Sequence, residues 1–170
     1  MASIIGVETL QHTNGTTAAT IDSSGRIHQP ALPAFRVGLT GPQNETTTGF
    51  HTVAFNETAT DNCFIQGGMT ISSGSVTVPV DGVYQFNANV RLDNIGSGYV
   101  EVLIVVNGEA GGNVDTYTID GSPPSNYFTL TPSDFYKLSA GDIVDVRVNV
   151  SADTSWRISV TTTFAGALIG

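Results

Sequence analysis

Through most of this 170-residue chain, apolar side chains recur at every second position, and no window holds them at a helical spacing. Val76, Val78 and Val80 are two apart, and Tyr84 and Phe86 stand against Val83 and Gln85. Val100, Val102 and Ile104 stand against Leu103 and Val105; Val144, Val146, Val148 and Val150 stand against Ile143, Asp145, Arg147 and Asn149; Ile158 and Val160 repeat the spacing. A period of two sends alternate side chains to opposite faces of a strand, so these segments are expected to be half-buried strands, one face packed and one wet. Glycine, proline or Thr/Val clusters interrupt the candidate helices.

Turn signals divide the alternating segments. Ser72-Ser73-Gly74-Ser75, Asp81-Gly82, Asn107-Gly108 and Ala140-Gly141-Asp142 all contain residues that tolerate positive φ, and each is expected to close a hairpin. The segment from Asp120 to Asn126 reads as a loop, because the adjacent Pro123 and Pro124 remove ladder donors. About ten strands fit between residues 33 and 169, which predicts an all-β fold, an antiparallel jelly-roll sandwich.

Composition agrees with strands and turns. Only 12% of residues are charged, about half the usual share, and Thr, Ser, Asn and Gly stand in their place. Net charge is −9, and Lys137 and the five arginines, Arg26, Arg36, Arg91, Arg147 and Arg157, never cluster along the sequence. Neither nucleic acid nor an anionic membrane suits such a chain, since both require a basic stripe. No stretch approaches the ~20 apolar residues of a membrane helix, and the start lacks the pattern of a signal peptide. Synthesis in a cytoplasm, without membrane insertion, is the expectation.

Residues 1–32 differ in texture. Two hairpin-like turns, at Asn14-Gly15 and Ser24-Gly25, join short alternating pieces that hold too few large apolar residues for a core of their own. The segment Gln29-Pro30-Ala31-Leu32-Pro33 then stiffens the chain. This part is expected to be an extended arm, docked onto a partner through Val7, Leu10, Ile21 and Ile27. Residues 33–170 are expected to form the head. The chain ends on Phe164-Ala165-Gly166-Ala167-Leu168-Ile169-Gly170, apolar and small, where most domains end in loose polar residues. Such a strand calls for burial.

Several motifs in the head resemble the globular head of complement component C-one-q, within the tumour necrosis factor-like jelly rolls. They are Pro33-Ala34-Phe35-Arg36-Val37, Val53-Ala54-Phe55-Asn56, and Gly74 to Phe86 with Val76, Val78, Pro79, Val80, Gly82, Val83 and Tyr84. Val102, Ile104, Val106, Asn107 and Gly108 follow, then Leu138, Gly141, Asp142 and Val144, and last Phe164, Gly166 and Leu168. The resemblance implies a homotrimer in which the last strand lies near the threefold axis, with Tyr84, Phe86, Phe164, Gly166 and Leu168 in the trimer core. Both termini would then emerge at its base. Within the arm, Thr9 to Ile27 resembles leader segments of marine tailed-phage virion proteins, which implies docking to other virion proteins.

Chemistry is thinly signalled. His12, His28 and His51 lack a second ligand at a metal-binding spacing. Cys63 lies in no Cys-x-x-Cys motif and reads as a small buried residue, and no Gly-x-Ser-x-Gly elbow occurs. No catalytic role or cofactor is expected. The resembled heads often bind calcium, and Asp93, Asp115, Asp120 and Asp153 are the loop carboxylates available for it, with plain solvation as the alternative. Tyr99, Tyr117, Tyr127 and Trp156 could face a receptor, a host surface glycan or protein, or else pack at strand ends. The reading is a non-enzymatic phage virion protein, a fibre tip that attaches to the host, or alternatively a capsid decoration protein at threefold positions.

Overall fold

The computed structural model describes residues 6–60, 62–109, 114–119 and 127–170, with the side chains of 114–119 left aside. The arm forms a sheet of its own. Its strands β1 (Thr9–Gln11), β2 (Thr17–Ile21) and β3 (Ile27–His28) pair antiparallel in that order, through turns at Gly15 and Gly25 as the dipeptides predicted. Asp22 fixes the second turn: its carboxylate accepts from the Ser24 and Arg26 backbone N–H groups and from Arg26 Nε.

The head begins with β4 (Ala34–Gly38), β5 (Gln43–Glu45), β6 (Gly49–Thr52), β7 (Phe64–Gln66), β8 (Thr70–Ser72) and β9 (Ser75–Thr77). It continues with β10 (Gly82–Asp93), β11 (Gly98–Val106), β12 (Val114–Ile119), β13 (Tyr127–Leu130), β14 (Ser133–Leu138), β15 (Ile143–Val150), β16 (Trp156–Ile158) and β17 (Thr163–Leu168). One sheet runs β5-β16-β10-β17-β4-β7, with β16 and β17 following each other along one edge of β10 and β13 and β14 along its opposite edge; the second runs β12-β11-β15-β9-β8, with β6 beside β15. Among the described residues there is no helix, and so none long and apolar enough to cross a membrane.

Alternation explains the packing between the sheets. Phe35, Val37, Tyr84, Phe86, Val90, Leu92, Ile158 and Phe164 point inward from the first sheet, and Val100, Val102, Ile104, Val144, Val146, Val148 and Val150 meet them from the second. Aromatic rings fill the middle, with Phe164 edge-on to Phe35 at 5.0 Å and stacked on Phe86 at 5.7 Å. Burying each such ring stabilises the sandwich by roughly 1.5–3 kcal/mol.

Two of the four expected hairpins form. Ser73 and Gly74 (φ 51° and 84°) join β8 to β9, and Asn107 and Gly108 (φ 52° and 82°) lead β11 back toward β12. Asp81-Gly82 and Ala140-Gly141-Asp142 instead carry the chain from one sheet to the other, between β9 and β10 and between β14 and β15. Turn residues permit a reversal but do not say which sheet receives the next strand. The head's strands number fourteen among the described residues, more than expected, because breaks such as Thr131-Pro132 split ladders that continue along the same neighbour, here β10. The second sheet is also drier than expected: Leu103 and Val105 are buried on its outer face, opposite Arg147 and Asp145.

Candidate functional site

The outer face of the first sheet is where small, flat and apolar surface collects. Register places its residues in rows. One row runs Gln66, Ala34, Ala167, Gln85, Phe135, and the next runs Phe64, Arg36, Ala165, Asn87, Ser133. The alanines leave a shallow groove floored by Ala165, Gly166 and Ala167 and walled by Gln85 and Asn87. A phenylalanine stands at each margin, Phe135 on β14 at 58% exposure and Phe64 on β7 at 44%.

The residues expected at the trimer core lie on the opposite side of these strands. Tyr84, Phe86 and Phe164 have no exposure in the single chain, and Leu168 packs against the same core. Gly166 shares their face, since a Cβ there would run into the Phe86 and Phe35 rings. The period of two decides this: residues between them in sequence, Gln85, Asn87, Ala165 and Ala167, are the ones a neighbouring copy can touch. Arm residues Val7, Leu10 and Ile27 are exposed, whereas Ile21 is half-buried.

The aromatic candidates separate. Trp156 is only 2% exposed and so does not face a receptor. Its indole Nε1 donates to the Thr47 carbonyl at 3.1 Å, and its ring meets His51 edge-on at 5.1 Å. His51 in turn holds Glu45 through Nδ1 at 2.8 Å, while Gln43 donates to the other Glu45 oxygen at 2.7 Å. This network joins β5 in one sheet to β6 in the other, a structural role that the isolated histidine did not reveal. Tyr99 and Tyr127 are exposed, on different sheets. Tyr117 lies on β12, its side chain outside the described residues.

The calcium candidates also divide. Asp93 is buried, and its two oxygens accept from Arg91 Nε and Arg157 Nε, each at 2.9 Å. A carboxylate saturated by two guanidiniums is no cation ligand. Asp153 Oδ2 accepts from the Gly96 and Ser97 backbone N–H groups at 3.0 and 3.1 Å, closing their loop. The side chain of Asp115 and the whole of Asp120 are outside the described residues. Among the described residues no group of three or more His, Cys, Asp or Glu is placed to hold a metal. Cys63 is buried, as expected of a small apolar residue.

Two antiparallel sheets closed over an aromatic core, with a flat small-residue face outside, define a jelly-roll sandwich. Residues 34–169 match the C1q domain, and the chain belongs to that family. Over 151 residues it is 27% identical to adipolin from Homo sapiens, covering 81% of this chain and 49% of adipolin. Mus musculus adipolin is 28% identical over 151 residues, covering 82% of this chain and 49% of that protein. The chain thus spans about half the length of these curated relatives. Membership of a non-enzymatic family agrees with the lack of a catalytic motif in the sequence.

Proposed function

We propose that the chain works as a homotrimeric attachment head, carried on a particle by its N-terminal arm. The observation that carries this reading is the alanine groove with an exposed phenylalanine beside it. Phe135 stands on β14 at one margin of the face, and the Ala165–Ala167 groove lies two strands in. Seating Phe135 of one copy in the groove of the next makes a heterologous contact, which closes into a ring when repeated about a threefold axis. Each buried ring contributes roughly 1.5–3 kcal/mol, repeated at each of the contacts. C1q family membership supports a trimer.

The arm supports docking. Leu10 and Ile27 are apolar and exposed on a three-stranded sheet whose two outer strands, β1 and β3, have no further strand partner among the described residues. Its resemblance to phage leader segments points to a virion as the particle, and to a tail-fibre or head-fibre tip that binds the host surface. Trimeric display would strengthen weak single contacts. The second reading, a capsid decoration protein, draws on the same open arm, which could thread onto shell subunits; a high copy number would distinguish it. Deleting residues 1–30 tests the docking: a folded head that no longer joins particles is expected, and normal incorporation would refute it.

A further inference from the structure

We propose that Arg91, Arg157 and Tyr127 form a recognition site for a carboxylate or sulfate group borne on a saccharide. This names a ligand chemistry for the attachment surface and takes its setting from that reading, but its geometry is complete in a single copy.

Asp93 organises the site from beneath. Its side chain is 7% exposed, and it holds one guanidinium on each oxygen through Nε, while the arginine side chains reach water at 34% and 45% exposure. Arg91 is further fixed by Tyr127, whose ring centroid lies 4.2 Å from its Cζ. Two guanidiniums against one carboxylate leave a local positive charge on a chain of net charge −9.

The chain carries its own comparison. Arg147 gives Nε and Nη2 to Asp145, at 2.8 and 3.2 Å, and Nη1 to the Gly108 carbonyl at 3.4 Å, so that pair is closed and neutral. Arg91 and Arg157 each give only Nε, and their terminal nitrogens have no protein acceptor among the described residues. A structural need at Asp93 would be met by one arginine in the manner of Arg147. Two half-used, pre-oriented forks instead offer N–H donors suited to an oxyanion.

The half-exposed Tyr127 ring, continuous with these donors, favours a saccharide as the carrier, because a sugar face packs on an aromatic ring while its acidic substituent reaches the arginines. The site lies at the Asp93 end of β10, away from Gly82, where β10 runs beside Leu168 and the chain end. It therefore sits far from the point where the arm joins the head.

Calorimetric titration of the full chain with a sulfated or uronic oligosaccharide, a neutral oligosaccharide and inorganic sulfate tests this, with sedimentation run in parallel. Saturable binding of the acidic saccharide alone is expected, weakened about tenfold or more by Arg157→Gln. Tyr127→Ala should weaken it as well, and Tyr127→Phe should retain it. Equal binding of inorganic sulfate, or an unchanged affinity in Arg157→Gln, would overturn the proposal. So would absence of saccharide binding together with loss of the oligomer in Arg157→Gln, which would make the arginines an interface ion pair. A chain that is monomeric yet binds the acidic saccharide would sink the trimer and leave this site standing.

Discussion

Gly166 lies against the Phe86 ring so closely that a single methyl group at position 166 would occupy the space of Phe86 Cδ1 and crowd Phe35 Cε1. The glycine is what lets β17 pass over the aromatic centre of the sandwich. Gly166→Ala is expected to cost about 1–3 kcal/mol through overpacking. Denaturant unfolding would show it as a lower midpoint, and an unchanged midpoint would contradict this packing. An arginine there should unfold the head before any question of assembly arises.

Trp156 is predicted to matter for folding and not for recognition. Trp156→Ala removes the ring under His51 and the donor to Thr47, at a cost of about 3–5 kcal/mol. Thermal melting would measure the loss. A near-native melting temperature would show that the β5, β6 and β16 corner is held by something else.

Glu57 gives a pH signature. Its Oε1 accepts from the Ala59 and Thr60 backbone N–H groups at 3.0 and 2.9 Å. The Ala59 N–H above all holds its carboxyl down to about 2, from an ordinary 4.5. Because the folded value is depressed, the stabilisation is fully present above pH 4.5 and is lost as pH falls through about 2. Glu57→Gln should therefore melt lower than the parent at neutral pH, and the two curves should converge near pH 2. Parallel curves down to that pH would argue against the loop cradle.

How much of this was legible in the sequence follows from what a period of two encodes. The strands around Tyr84, Val102 and Val146 were plain, as were the turns at Gly74 and Asn107, because alternation and turn chemistry are local. Sheet membership was not: Asp81-Gly82 looks like a hairpin turn but sends β10 into the opposite sheet. The face assignment of Phe164, Gly166 and Leu168 also depends on which side of β17 the second sheet covers, a long-range fact. Arg91 and Arg157 are 66 positions apart, so their convergence on Asp93 left no sequence signal.

The arm is expected to be separable. Among the described residues its strands pair only with one another, so removing residues 1–30 should leave the melting temperature of the head nearly unchanged. A large drop would mean that the arm contributes to the head's core.

Sedimentation equilibrium of the full chain beside Phe135→Asp measures whether the Phe135 ring joins one copy to the next. Phe135 is exposed, so the substitution should leave the fold intact while placing a charge where the groove of the next copy must close. A trimer is expected for the parent and a folded monomer for Phe135→Asp. A variant that sediments as the same stable trimer would contradict it.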